Sequence, residues 1–73
     1  MNIPMPNDQL GDRLVVASCY ATDEVYLVLA LNKEEPYFSV IEVAADDHRI
    51  VWNRAFENIV PAVHEYEQRG GDY

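Results

Sequence analysis

The sequence predicts an α+β domain in which an antiparallel sheet of about four strands, in meander order, carries one C-terminal helix packed on one face. Three observations lead there. Apolar residues alternate with period two through successive short runs. The breaks between those runs are only a few residues long, whereas parallel pairing needs a crossover of roughly a dozen or more. After Trp52 the apolar spacing changes to steps of three and four, the spacing of one helix face.

Residues 1–12 hold Pro4, Pro6 and Gly11 among Asn7, Asp8 and Gln9, which supply turns but no sustained period, so they read as a flexible or edge-hugging arm before a single small domain over residues 13–73. The first strand is Arg13 to Tyr20, rich in β-branched residues, with Leu14, Val16 and Tyr20 on one side and Val15, Ala17 and Cys19 on the other. Ala21 to Glu24 breaks the pattern, and Val25 to Leu31 resumes it with Val25, Leu27, Leu29 and Leu31 opposite Tyr26, Val28 and Ala30. Asn32 to Pro36 is a second break. Tyr37 to Val43 follows as a third strand, with Tyr37, Ile41 and Val43 opposite Phe38, Val40 and Glu42, and Arg49 to Trp52 forms a short fourth after the polar stretch Ala44 to His48.

Phe56, Ile59, Val60, Val63 and Tyr66 then fall along one side of a helix. Asn53 is one candidate cap, but a helix from Arg54 would place Pro61 where its missing donor and its ring disrupt the preceding turn. A start near Asn58 to Pro61 is favoured, because proline suits a first turn. Arg69 complements the negative end of the helix, and Gly70-Gly71 is the expected stop.

An antiparallel sheet with one wet side alternates apolar and polar residues, yet both sides of the first three strands here are apolar. The richer side, with Leu14, Val16, Val25, Leu27, Leu29, Ile41, Val43, Ile50 and Trp52, is the expected seat of the helix. The other side, Val15, Ala17, Tyr26, Val28, Ala30, Phe38, Val40 and Val51, forms a patch too large to leave in water. It is the expected partner-binding face, covered by a twin molecule or another protein. The competing expectation is that the arm, with Ile3, Met5 and Leu10, folds back over it.

Thirteen Asp and Glu against five Lys and Arg give a formal charge of -8. That charge repels phosphate backbones and anionic membranes, so direct nucleic-acid and membrane-surface binding are disfavoured. No apolar run approaches the roughly 20 residues of a transmembrane span, and the N-terminus lacks the pattern of a secretory signal, which makes a cytoplasmic protein the expectation. A domain of 73 residues buries only about 60% of its unfolded surface, leaving little room for a deep cleft.

The acidic pairs Asp23-Glu24, Glu34-Glu35 and Asp46-Asp47 recur once per strand and turn. In a meander the first and third share an end, joined by Glu65 and Asp72 if the helix returns antiparallel. Such clusters either solubilise the turns or form a surface that meets a basic partner. They lack the loop pattern of a calcium site. His64-Glu65 carries part of a zinc-helix pattern, but the second histidine is replaced by Gln68. His48 beside Asp46 and Asp47 is a weak acid-base candidate, Ser18, Cys19 and Ser39 lie in strands rather than on a strained elbow, and there is no glycine-rich phosphate loop. No metal site, cofactor or enzymatic role is expected.

The functional expectation is a small acidic non-enzymatic module that binds a protein as an inhibitor, adaptor or regulator. By analogy of size and charge alone, it would occupy a basic nucleic-acid-binding surface in the manner of phage anti-defence proteins. The alternative is a structural homo-oligomer, a homodimer or a phage or bacterial assembly component, joined through the uncovered sheet face.

Overall fold

A computed structural model describes residues 5–71. Five strands, β1 (Gln9–Leu10), β2 (Arg13–Tyr20), β3 (Val25–Leu31), β4 (Phe38–Ala44) and β5 (Ile50–Phe56), precede one helix, α1 (Ile59–Gly71). The strands form one curled antiparallel sheet in sequence order. The α+β meander expected from the pattern is therefore present, with five strands rather than about four. The extra strand comes from the arm: Gln9 pairs with Leu14 and Leu10 with Arg13, so this part of the arm lies along the sheet edge. Gly11 turns the chain between them with φ at 63°, a backbone region that glycine enters without a Cβ clash. The arm's Ile3 lies outside the described residues.

Three of the four expected strands end within a residue of their observed limits, while β5 runs four residues further than its expected end at Trp52. Phe56, read from spacing as helical, is the last residue of that strand and pairs with Phe38. The helix begins at Ile59, which puts Pro61 in its first turn where a missing N–H costs nothing. The described helix ends at Gly71, on the expected Gly70-Gly71 pair, and Gly70 lies close to the sheet, with an added Cβ meeting Leu27 Cδ1 at 3.7 Å.

Two bulges and one register decide which residues share a face. Val15 pairs with Ala30 but Ala17 pairs with Leu29, so Val16 is an extra residue and its neighbours point to opposite sides. Between β3 and β4, Val28 faces Ile41 and Leu29 faces Val40. The helix covers the side built from Ala17, Leu29, Phe38, Val40, Trp52 and Phe56, where Ala62, Val63 and Tyr66 dock. The opposite side holds Val15, Tyr26, Val28, Ala30, Ile41 and Val43.

The expected grouping of faces is corrected accordingly. Ala17, Phe38 and Val40 leave the supposed open face for the helix side, and Ile41 and Val43 move the other way. Nor is the second face open: Val28, Ala30 and Ile41 are fully buried. The sheet curls over it, bringing Leu10 of β1 and Asn53 and Ala55 of β5 to the rim of one shared hollow, while Leu10 and Ala45 pack on the cluster. Burying each Val or Ile there contributes about 1.5–3 kcal/mol, so curling is the favourable way for a lone small sheet to shelter a second apolar side.

Candidate functional site

Because neighbouring strands run in opposite directions, the β2–β3 and β4–β5 turns meet at one end of the sheet and the β3–β4 turn lies at the other. The first end holds Asp23, Glu24, Asp46 and Asp47. A backbone bond from Ala45 N–H to the Glu24 carbonyl, 2.8 Å, ties the two turns together. Each turn is also pinned locally: the Thr22 hydroxyl accepts from the Glu24 and Val25 amides, and Asp46 and Asp47 carboxylates accept from the Asp47 and Arg49 amides. These bonds hold the acidic side chains on fixed backbone.

Between the turns lies a depression of about 640 Å³. Tyr20, Val25, Ala44, Ala45 and Val51 give it an apolar floor, and Asp23, Glu24, Asp46 and Arg49 stand around it. Tyr20 is 53% and Val51 48% exposed, large apolar surfaces for a rim so charged. Chemically, such a hollow suits a cationic side chain with an aliphatic stem, since carboxylates meet the charge while the floor meets the methylenes.

Behind the depression, Tyr26 is 1% exposed and its hydroxyl is hydrogen-bonded to His48 Nδ1 at 2.9 Å. His48 reaches it from the β4–β5 turn with φ at 57°, and the Tyr20 ring meets Tyr26 edge-on at 6.3 Å. Burial first, and then the neighbouring Tyr20, push the Tyr26 phenol above its ordinary pKa. His48 thus acts on the tyrosine, anchoring the acidic turn to the core.

The opposite end carries Glu34 and Glu35 beside Lys33, Asp12 and Arg13 around a second hollow. Here Asn32 organises the turn: its side-chain amide donates to the Pro36 carbonyl and the Ser39 hydroxyl, and its carbonyl accepts from Arg13 Nε. Mixed charge makes this end less electronegative than the first. As expected from the meander, the first and third acidic pairs share an end and the second stands apart. Glu65 does not join them, because it is held by Arg54 at 3.3 Å, and Asp72 lies outside the described residues.

The remaining candidates scatter. Among the expected face residues, Val51 lines the acidic depression, whereas Val15, Tyr26, Val28, Ala30 and Val40 are buried and Ala17 and Phe38 are half-buried. Cys19 faces the helix, where Tyr66 bonds to it; burial above all, and that bond next, push the Tyr66 phenol up. Among the described residues no three His, Cys, Asp or Glu side chains stand close enough to hold a metal ion. No helix among them is long and apolar enough to cross a membrane.

Sequence reasoning missed Tyr20, Val25, Ala44, Ala45 and Arg49 as parts of the depression. Their signal is adjacency to acidic turns that share an end, which topology alone turns into a site. Comparison with known protein families, with curated proteins and with solved structures finds no match to this chain.

Proposed function

We propose that this chain is a small, acidic, non-enzymatic protein-binding module that engages a basic segment of a larger protein through the end formed by Asp23, Glu24, Asp46 and Asp47. The observation that carries the reading is the juxtaposition of the Asp23, Glu24 and Asp46 carboxylates with the exposed floor of Tyr20 and Val51. Carboxylates alone solubilise a turn; carboxylates around an apolar hollow select a lysine or arginine and retain its stem. An inhibitor or regulator working this way would cover a cationic surface on its target, including one that otherwise holds nucleic acid, and it would act inside the cytoplasm.

Titration with a short peptide bearing two arginines beside a leucine, against its glutamate counterpart, tests the reading by amide chemical shifts. Shifts confined to Tyr20, Glu24, Asp46 and Val51 with the arginine peptide are expected, weakening steeply as salt shortens the Debye length from about 30 Å at 0.01 M to about 8 Å at 0.15 M. Replacing Asp23, Glu24 and Asp46 by lysine should abolish them. Shifts spread over both ends of the sheet, or equal responses to both peptides, would remove the site from consideration.

A further inference from the structure

The two edges of the sheet are not alike. On one side β1 lies against the start of β2, Val15 N–H donates to the Asp8 carbonyl at 2.8 Å, and the bulge at Val16 interrupts the rest. On the other side β5 ends the sheet; among the described residues nothing is paired to its outer edge, and five of its seven residues are exposed. Edge strands are normally blunted by proline, lysine, bulges or very short length. β5 has no proline and no lysine, and its bulge, at Val51, leaves Trp52 to Phe56 regular.

The direction of its polar groups follows from one bond. Ala44 N–H donates to the Arg49 carbonyl, so Ala44 points its backbone groups at β5, and by alternation Phe38, Val40 and Glu42 do the same. Their partners Phe56, Arg54 and Trp52 therefore spend their backbone groups on β4. Asn53 and Ala55 aim theirs outward.

From this edge we infer that β5 pairs antiparallel with β5 of a second copy of the chain, centred on Asn53, to make a two-fold dimer with one continuous sheet. Antiparallel pairing about Asn53 matches the outward groups of Asn53 with those of the second copy's Asn53, and it lays Ala55 across from the bulge at the second copy's Val51. It also sets Arg54 beside the second copy's Trp52 in a non-hydrogen-bonded pair, where Cα atoms lie about 4.5 Å apart and side chains touch. Arg54 and Trp52 share the helix side of the sheet, and Arg54 already lies 5.1 Å over the Phe56 ring, a guanidinium disposed to aromatic faces. Pairing about Arg54 instead would oppose two arginines.

The charge of this edge is compatible with the same occupant. Each chain carries -8, yet from His48 to Phe56 there is no carboxylate and there are two arginines, so two copies meet here without opposing acids. Pairing β5 with β2 of another copy would leave edges open and grow filaments, whereas two β5 strands close on themselves. The carboxylates Asp23, Glu24, Asp46 and Asp47 lie off the paired strand, whereas Val51 belongs both to the join and to the floor of the acidic depression.

Sedimentation equilibrium with the full chain tests this. A mass of twice 8.4 kDa is expected at high micromolar concentration. Ala55→Pro should leave a folded monomer, because proline there removes only an outward donor. Hydrogen exchange guards against a variant that fails to fold: in the native protein, Asn53 and Ala55 amides should gain protection as concentration rises, while Trp52 and Arg54 amides stay protected throughout. A chain that remains monomeric at high micromolar concentration, or a dimer whose Asn53 and Ala55 amides exchange freely, overturns the proposal.

Discussion

The two sides of the sheet solve burial differently. The side holding Tyr26, Val28, Ala30, Ile41 and Val43 is almost wholly apolar and closes by curvature of its own strands. The helix side contains charge: Glu42, only 5% exposed, accepts from Arg69 at 2.6 and 2.7 Å, and the Arg69 guanidinium lies 3.5 Å over the Trp52 ring. The difference teaches what each side must specify. A face that shelters itself needs only volume and register, but a helix sliding over a sheet has many apolar resting places, and one ion pair under its last turns singles out one of them.

Breaking the first side should cost most. Ile41→Ala removes a fully buried side chain from the middle of the curl, with an expected loss of about 4 kcal/mol in urea unfolding because strands held by ladder bonds collapse poorly around a cavity. A loss near that of an exposed site would mean the curl opens readily.

On the second side, Arg69→Ala removes the ion-pair partner of the buried Glu42 carboxylate, and a loss of about 3 kcal/mol is expected, somewhat reduced by the partial exposure of Arg69. Glu42→Leu combined with Arg69→Met should recover most of that stability, since a buried pair often does no better than packed apolar groups. If the double variant is stable but its helix amides exchange faster, the pair serves specificity; if it is as unstable as Arg69→Ala, the pair is a net source of stability.

The smallest effect distinguishes the two sides by pH. Tyr66 under the helix and Tyr26 on the curled side both have raised pKa values, each chiefly through burial. The folded chain thus holds these protons more tightly than the unfolded chain, whose tyrosines titrate near 10.0, so stability present below that pH is lost as pH rises above it. The slope is up to about 1.4 kcal/mol per pH unit for each group. Tyr66→Phe should flatten the alkaline limb more than Tyr26→Phe, as read from thermal midpoints between neutral and alkaline buffers; equal limbs would mean the helix gives its tyrosine no extra shelter.

Much of this fold was legible from period alone: the central strands, the short connections and the position of Pro61 in a first turn all follow from local spacing. Face assignment failed because it depends on turns and bulges. A single extra residue at Val16 reverses Ala17, and the pairing of Leu31 with Phe38 across the Asn32 turn decides which side Val40 occupies. Phe56 was ambiguous because steps of three and four from it fit the helix as well as alternation from Trp52 fits the strand. The Glu42–Arg69 pair spans 27 residues and had no local signal at all. For the acidic end, topology placed the carboxylates correctly, but the floor beneath them required coordinates, since Tyr20 and Val51 belong to strands that are not neighbours.

Trp52 is the single tryptophan of the chain, and it lies beneath Arg69 in the seam between helix and sheet. Its fluorescence is therefore an intrinsic gauge of helix docking: undocking lifts a cation from the indole and admits water, while the sheet's backbone ladder can stay whole. Emission from this ring, followed beside circular dichroism, divides detachment of the helix from melting of the strands without any added dye.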